Sequence, residues 1–199
     1  MAEPLLYYVR HGETEWNVQG RLQGHHDSAL TARGRAQADR CGEILRDLFS
    51  RDGRDAGDCD YVASPLGRAR STMERVRATL GLIPNDYRVD DRLKELAFGR
   101  WEGLAYPALR ASDKALLAAR EHDKWGFTPP GGESYADLLV RVRAWHKTVE
   151  RDSVVVAHGG TARALVALYG IAPRARAAVT DVAQGVVYGF SPAGMARYG

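Results

Sequence analysis

The sequence predicts an α/β fold built on a mainly parallel sheet, with helices on both faces. Three short apolar runs, at 5–9, 60–64 and 153–157, are rich in β-branched or aromatic residues and are typical of buried strands. Helical patterns separate these runs, and this alternation is the pattern of a parallel sheet. A chain of 199 residues that is 45% hydrophobic can bury one sizeable core, so we expect a single domain over residues 1–199.

Capping residues and apolar spacing predict the helices of the first half. Thr31 is a suitable N-cap for a helix over 32–49, in which apolar residues recur at helical spacing. Pro65 suits the first position of a helix over 65–80, and Gly81 is suited to end it.

The second half continues the alternation. We expect a helix over 104–121, followed by the chain-breaking stretch TPPGGES. Ser134 is suited to cap a helix over 135–150, and a helix over 160–169 follows the third strand directly. The C-terminal residues predict an edge hairpin that turns at Pro192-Ala193-Gly194.

Composition argues against a nucleic-acid partner. The formal net charge is only +3, and the 24 arginines and 4 lysines are scattered among acidic residues. A nucleic-acid-binding protein would be expected to gather its basic residues on one stripe with aromatic residues between them, and the sequence has no such stripe.

The sequence also lacks the usual signals for export or membrane insertion. No segment approaches the roughly 20 apolar residues of a membrane helix. The start MAEPLLYY has no basic region and no long apolar region, so we do not expect a signal peptide. Two cysteines, Cys41 and Cys59, do not make a disulfide framework. A cytoplasmic location without a membrane partner is the simplest interpretation.

Polar residues cluster where the predicted strands end. Arg10-His11-Gly12 follows the first strand, Ser64 ends the second with Arg68 close behind, and His158-Gly159-Gly160 follows the third. Ligands of parallel sheets bind beyond the carboxyl ends of the strands. The glycines allow close approach of a ligand, and the helix that begins after Gly159 favours an anion. These residues together predict a phosphate site.

A metal centre is the less favoured interpretation of the same residues. His11 and Glu13, and the stretch His25-His26-Asp27, offer ligand types. However, the sequence has no pair of histidines at the spacing of a helical metal site, and the nearby arginines would repel a divalent cation. We therefore expect no metal and no cofactor.

Six motifs follow one another between residue 5 and about residue 165: RHGETEWN, the Gln23-Gly24 pair, SALTARGRAQA, SPLGRARST, LKELAFGRWEG and VVVAHGGTAR. In type and order these motifs resemble those of the histidine phosphatase superfamily, the phosphoglycerate-mutase-like group. The resemblance implies a three-layer α/β/α sandwich. The sequence departs from the family pattern at Ala29, where proline is usual, and His25 and His26 have no role in that pattern.

The resemblance also implies roles for individual residues. His11 matches the nucleophile that becomes phosphorylated, and Glu95 matches the group that protonates the leaving oxygen. Phosphate-binding or neighbouring positions are matched by Arg10, Asn17, Gln23, Gly24, Arg68, His158 and Gly159.

The expected activity is hydrolysis of a small phosphate ester through a phosphohistidine intermediate. The stretch LAFGRWEGL after Glu95 resembles the family's small phosphatases, and the span from Trp101 to Ser153 is shorter than in its cofactor-dependent mutases. A phosphoglycerate mutase and a non-catalytic protein that binds phosphorylated ligands remain alternatives. The substrate and the oligomeric state stay open, a homodimer included.

Three candidate specificity residues lie between Glu95 and the third predicted strand, and a fourth, Arg21, lies in the loop region that precedes them. Trp125 and Phe127 could stack on a substrate or simply pack under a loop. Arg21 and Arg100 could hold a carboxylate or a second phosphate, or could lie on the surface.

Overall fold

The computed structural model describes residues 4–199, and residues 1–3, where the stretch assessed for a signal peptide begins, lie outside the described part. The described residues form one sheet in the order β3-β2-β4-β1-β5-β6. The strands are β1 (Leu6–Arg10), β2 (Asp60–Ala63), β3 (Arg88–Val89), β4 (Ser153–Ala157), β5 (Val187–Ser191) and β6 (Gly194–Tyr198). The first four run parallel, and only β5 pairs antiparallel with β1 and with β6. The mainly parallel sheet and the C-terminal hairpin are confirmed.

Helices cover both faces of this sheet. They are α1 (Glu15–Val18), α2 (Ala32–Arg51), α3 (Gly67–Thr79), α4 (Tyr106–Ser112), α5 (Lys114–His122), α6 (Tyr135–His146), α7 (Gly159–Leu168) and α8 (Arg174–Ala177). Tyr7 and its face of the sheet pack against α2 and α3, whereas Tyr8 and the opposite face pack against α6 and α7. Neighbouring strand residues point to opposite faces, so each strand serves both cores. The three-layer sandwich is confirmed.

A smaller apolar cluster attaches α4 and α5 to the rest of the chain. Trp101, Leu109 and Leu117 are buried together. The ring of Phe127 stacks on Trp101, with ring centroids 5.5 Å apart. Phe127 therefore packs inside this cluster.

The helix caps were predicted correctly, but several of the predicted helix boundaries were wrong. Thr31 and Ser134 cap α2 and α6 as predicted, and each hydroxyl accepts a hydrogen bond from a backbone amide three residues later. α3 begins at Gly67 instead of Pro65, and α6 ends four residues earlier than expected. The helix predicted over 104–121 is two helices that meet at Asp113. The short elements α1, β3 and α8 were not predicted.

The register of the central strands brings the predicted site together. Arg10 at the end of β1 lies opposite Ala157 at the end of β4, and the amide of His11 donates to the Ala157 carbonyl at 2.9 Å. The amide of Ser64 donates to the Val156 carbonyl at 3.0 Å, so β2 ends at the same edge. His11, Ser64 and His158 therefore leave the sheet side by side. No helix in residues 4–199 is long and apolar enough to cross a membrane.

The turn after His11 packs directly against the start of α2, with no side chain between the two backbones. A Cβ atom on Gly12 would overlap the carbonyl of Gly34, and a Cβ atom on Gly34 would overlap the carbonyl of Glu13. Both clashes are with backbone, which cannot turn aside as a side chain can. Glycine at these positions lets α2 support the loop that carries His11.

The Gly34→Ala substitution tests this contact, because two effects oppose each other. Alanine favours the helix by about 1 kcal/mol, whereas the clash with Glu13 should cost more, so we expect a net loss of about 1–3 kcal/mol in the free energy of unfolding. Urea unfolding measures it, with the exposed Arg46→Ala in the same helix as control. A stabilised Gly34→Ala variant would contradict the close packing.

Candidate active site

His11 lies directly after β1, and its imidazole is oriented by its own loop. The side chain is only 3% exposed, and its Nδ1 lies 2.8 Å from the carbonyl oxygen of Gly12. A carbonyl can only accept, so Nδ1 carries the proton. The other ring nitrogen, Nε2, then presents a lone pair. The local hydrogen bond thus prepares Nε2 of His11 to act as a nucleophile.

His158 occupies the equivalent position after β4, where it caps the beginning of α7. The rings of His158 and His11 are 5.2 Å apart between centroids. Nε2 of His158 lies 2.7 Å from the hydroxyl oxygen of Ser64, and Nδ1 is buried without a hydrogen-bond partner among residues 4–199. If Ser64 donates to Nε2, the proton of His158 sits on Nδ1, where it can be donated to a ligand.

Two buried arginines flank the histidines. The Arg10 guanidinium donates through Nη1 to the Val182 carbonyl at 2.7 Å. Arg68, in α3, is 2% exposed and donates to the carbonyls of His26 and Gly24 at 2.7 and 2.8 Å. In both arginines Nε is buried and has no partner within the described chain. Each guanidinium is therefore held through its Nη atoms, while Nε stays available as a donor.

Burial and positive charge keep both histidines neutral. Desolvation, followed by the fields of Arg68 and Arg10, lowers the pKa of His11 well below its usual 6.5, although the Gly12 carbonyl acts in the opposite direction. The pKa of His158 is lowered in the same way, by burial first and then mainly by Arg68 and His11. A neutral imidazole is the nucleophilic form.

The loop from α1 to α2 closes one side of the histidine pair. Gln184 donates from its side-chain amide to the His11 carbonyl at 3.0 Å and to Asn17 Oδ1 at 3.1 Å, which places Asn17 beside His11. Buried Gln23 donates to the Thr14 hydroxyl at 2.8 Å. Gln23 thereby supports the cap of α1.

Gly24 is required by a close approach as well as by its backbone angle. Its φ of 55° lies in the left-handed region, and a Cβ there would overlap the side chain of Glu102. The Glu102 carboxylate accepts from the amides of His25 and His26 at 3.1 and 3.2 Å. Glu102 thus fixes the loop whose carbonyls hold Arg68.

Glu95 reaches the same edge of the sheet from the segment before α4. Its carboxylate accepts hydrogen bonds from the amide of Gly160 at 3.0 Å and from that of Leu96 at 2.8 Å. A Cβ on Gly160 would overlap the carboxylate, so the glycine allows Glu95 to approach this closely. The charge of Glu95 acts on Arg10, so the carboxylate lies near that guanidinium.

Gly159 lets two guanidinium groups approach the start of α7. A Cβ there would lie 3.2 Å from Nη1 of Arg163 and 3.7 Å from Nε of Arg10.

The structure thus gathers all nine predicted site residues along one edge of the sheet, although Gln23 and Gly24 act on the loop and are not placed to hold a ligand through a side chain.

Some site residues were missed because only tertiary contacts reveal them. Glu102, Gln184 and Ser64 were not assigned roles. Arg163 was missed too, although its place in VVVAHGGTAR, five residues after His158, was a usable signal. His25, which had no predicted role, places Nε2 2.9 Å from the Glu95 carbonyl and so links the loop to the acid.

The candidate specificity residues make contacts with other side chains of the protein. Arg100 pairs with Asp113 at 2.7 Å, and exposed Arg21 lies over the ring of Trp16. Trp125 is 8% exposed and stacks on Tyr135. For these aromatic residues, including Phe127, packing is the observed arrangement.

Comparison with known proteins agrees with this geometry. The family model described as histidine phosphatase superfamily (branch 1) matches residues 6–191. The chain belongs to this superfamily. Among residues 4–199, no group of three or more histidine, cysteine, aspartate or glutamate side chains is placed to hold a metal ion.

Individual members of the superfamily resemble the chain over most of its length. Glucosyl-3-phosphoglycerate phosphatase of Mycobacterium tuberculosis (strain CDC 1551 / Oshkosh) is 36% identical over 179 residues, which covers 81% of this chain and 73% of that protein. The "Probable phosphoglycerate mutase GpmB" of Salmonella paratyphi C (strain RKS4594) is 36% identical over 139 residues. This match covers 70% of this chain but only 60% of the relative. The alpha-ribazole phosphatase of Shigella flexneri superposes with a TM-score of 0.76 at 27% identity, covering 93% of this chain and 89% of that one. Relatives named as phosphatases support a phosphomonoester hydrolase.

The lowered pKa values of the two histidines make stability depend on pH. The unfolded chain takes up protons at these histidines near pH 6.5, but the folded chain does so only at lower pH. Unfolding therefore binds protons below pH 6.5, so the free energy of unfolding falls as the pH falls. Between pH 7 and pH 5 each such histidine contributes a loss of about 2 kcal/mol.

Between pH 7 and pH 5, we expect the free energy of unfolding of His158→Gln to fall by about 2 kcal/mol less than that of the wild type. Urea unfolding at both pH values measures the difference, and His122→Gln, which removes an exposed imidazole in α5, is the control. The same pH dependence in His158→Gln and the wild type would show that folding does not lower the pKa of His158.

Proposed function

We propose that the chain is a metal-independent phosphomonoesterase that hydrolyses a small phosphorylated metabolite through a phosphohistidine on His11. The observation that carries this proposal is a set of buried donors that have no hydrogen-bond partner within residues 4–199: Nε of Arg10, Nε of Arg68 and Nδ1 of His158. A phosphoryl group has three non-bridging oxygens. Three such donors match these oxygens in number, and preorganised donors lower the barrier of phosphoryl transfer.

In the first step Nε2 of His11 attacks the phosphorus atom. The new N–P bond forms as the bond to the ester oxygen breaks, and Glu95 donates a proton to the departing oxygen. The guanidinium groups of Arg10 and Arg68 balance the charge that spreads over the equatorial oxygens. Because His11 is already neutral, no proton need leave its Nε2 before the attack.

In the second step a water molecule attacks the phosphohistidine. Glu95, now a carboxylate, accepts the proton of that water as the N–P bond breaks and inorganic phosphate forms. The reaction thus uses one residue as acid and then as base, and divides a difficult displacement into two easier ones.

Hydrolysis is favoured over phosphoglycerate mutation by the extent of the similarities. The match to a relative named as a phosphatase covers 81% of this chain, against 70% for the relative named as a probable mutase. The segment between Trp101 and Ser153 is short, so it offers less cover to exclude water from the phosphohistidine. A non-catalytic binding role is disfavoured, because both the nucleophile and the acid are present and lie at one edge of the sheet.

We extend the proposal to the organisation and setting of the protein. Residues 1–199 form a single histidine phosphatase domain, and its partner is a small phosphate ester with neither nucleic acid nor membrane involved. Cys41 and Cys59 are free and buried, which favours a reducing, cytoplasmic location.

The first test follows the phosphoenzyme in the presence of EDTA. Wild-type protein should release phosphate from phosphomonoesters without added metal, and His11→Ala should form no acid-labile phosphoenzyme in rapid-quench experiments with labelled substrate. His158→Ala should form the phosphoenzyme about 10²–10³-fold more slowly, as in the loss of one oxyanion donor. A phosphoenzyme in His11→Ala, or activity restored only by a divalent cation, would overturn the mechanism.

The second test separates Glu95 from Glu13, the other acid near the nucleophile. The Glu13 carboxylate accepts from the Thr31 hydroxyl at 2.9 Å and lies 3.5 Å from Arg33, so it serves the start of α2. Glu95→Gln should slow alkyl phosphates by about 10²–10⁴-fold and nitrophenyl phosphate much less, because nitrophenolate leaves without a proton. Glu13→Gln, the matched control, should slow both substrates by similar, smaller factors.

The comparison requires kcat/KM for both variants on both substrates across pH. Glu95→Gln should also remove one limb of the pH profile for the alkyl phosphate. Equal losses on the two substrates would mean that Glu95 only positions the substrate.

A further inference from the structure

A short segment just before β5 contacts the site from the C-terminal part of the chain. The Val182 carbonyl accepts a hydrogen bond from Nη1 of Arg10 at 2.7 Å. Two residues later, the side-chain amide of Gln184 donates to the His11 carbonyl at 3.0 Å and to Asn17 Oδ1 at 3.1 Å. Three of the predicted site residues thus contact this segment, although none of the motifs that predict the site includes it.

The sheet holds this segment in place. Val182 is buried in the core, and the amide of Ala183 donates to the hydroxyl of Tyr188 at 2.8 Å. Tyr188 is itself buried and lies opposite Tyr8 in the pairing of β5 with β1. Because β1 leads directly into His11, the segment and the nucleophile are attached to the same pair of strands.

Hydrogen-bond polarity decides which way the Gln184 amide faces. A backbone carbonyl can only accept, so the atom of Gln184 that faces the His11 carbonyl is Nε2 and not Oε1. Nε2 carries two N–H groups, and it has two acceptors, the His11 carbonyl and Asn17 Oδ1. A reversed amide would bring Oε1 against two other oxygen atoms.

The amide of Asn17 is oriented in the same way from its other side. The backbone amide of Thr14 can only donate, and it lies 3.2 Å from Asn17 Oδ1. Oδ1 also accepts from Gln184, so both donors select the same orientation. Within residues 4–199 no hydrogen bond involves Nδ2 of Asn17, and Asn17 is only partly buried. The N–H groups of Nδ2 are therefore available to a ligand beside His11.

We propose that Gln184 is a positioning residue, which holds the Asn17 amide so that Nδ2 donates to the phosphoryl group transferred to His11. Without Gln184, only the Thr14 amide would restrain Oδ1 of Asn17. A donor that is already aligned needs no reorganisation when the phosphoryl group arrives. This inference rests on the proposed function and adds a residue to that same site.

Two substitutions of similar size separate hydrogen bonding from packing. Gln184→Met keeps the length of the side chain but removes both N–H donors. Gln184→Glu keeps the shape and, when ionised, turns an acceptor toward two oxygen atoms, whereas its protonated form can donate to one of them. Gln19→Met and Gln19→Glu make the same changes at an exposed glutamine after α1 and are the controls.

The value of kcat/KM for nitrophenyl phosphate should fall about tenfold in Gln184→Met, as expected for lost hydrogen bonds that orient a donor. Gln184→Glu should lose more at neutral pH, and the ratio of its kcat/KM to that of the wild type should rise as the pH falls and the carboxyl takes up a proton. Both Gln19 variants should keep the wild-type value. Wild-type activity in Gln184→Met, or equal activity of the two Gln184 variants at every pH, would rule out the proposal.

A double-mutant cycle tests whether Gln184 acts through Asn17. In the wild type Gln184→Met should cost about tenfold in kcat/KM. In Asn17→Ala the same substitution should cost less than about threefold, because the amide that Gln184 orients is gone. Equal costs in the two backgrounds would show that Gln184 acts independently of Asn17, which contradicts the proposed role.

Binding of inorganic phosphate separates failure of this inference from failure of the proposed function, because calorimetric titration needs no turnover. If the wild type hydrolyses no ester, the phosphatase proposal fails. The positioning role is then still supported if Gln184→Met weakens phosphate binding in the wild type but not in Asn17→Ala. It is refuted if the substitution leaves phosphate affinity unchanged, or if the wild type binds no phosphate.

Discussion

Parallel pairing of β1 with β4 sets Arg10 opposite Ala157, so the residues that follow, His11 and His158, leave the sheet as neighbours. β2 pairs on the other side of β4 and delivers Ser64 to His158 at the same edge. The geometry of the pair is therefore a consequence of strand register, and it is supported from both faces by packed helices. A one-residue slip in β1 would reverse its faces and would separate the two imidazoles.

The same edge of the sheet holds buried positive charge, and backbone carbonyls accept the hydrogen bonds of the charged side chain. Arg68 donates to the carbonyls of Gly24 and His26, and within residues 4–199 its only ion pair is with partly exposed Asp27 at 3.1 Å. Carbonyl dipoles satisfy the donors without cancelling the charge, so the field of Arg68 still acts on both histidines. Burial is the larger cause of their low pKa values, and the field of Arg68, which lowers them further, also favours an anion.

Local sequence signals were sufficient for the central strands and for the caps at Thr31 and Ser134, whereas the residue roles that come with the motifs stay predictions. They failed where long-range contacts decide. β3 is only two residues long and exists because it pairs with β2, and Asp113 interrupts a stretch whose composition suits a continuous helix. The pairing of Arg100 with Asp113 and the contact of Glu102 with the Gly24 loop could not be inferred from spacing, since both join residues that are far apart in sequence.

The position of Glu95 shows how the loop and the acid are made to act together. Arg141 in α6 donates to the carbonyls of Arg92 and Glu95 at 2.7 and 2.9 Å, and a bidentate pair with Glu133 holds its guanidinium in place. His25, on the loop that holds Arg68, contacts the same Glu95 carbonyl. The acid is therefore tied both to the scaffold and to the loop that orients the phosphate-binding arginine. These contacts fix the position of Glu95 relative to the loop that holds Arg68, and proton transfer by the proposed acid would depend on such alignment.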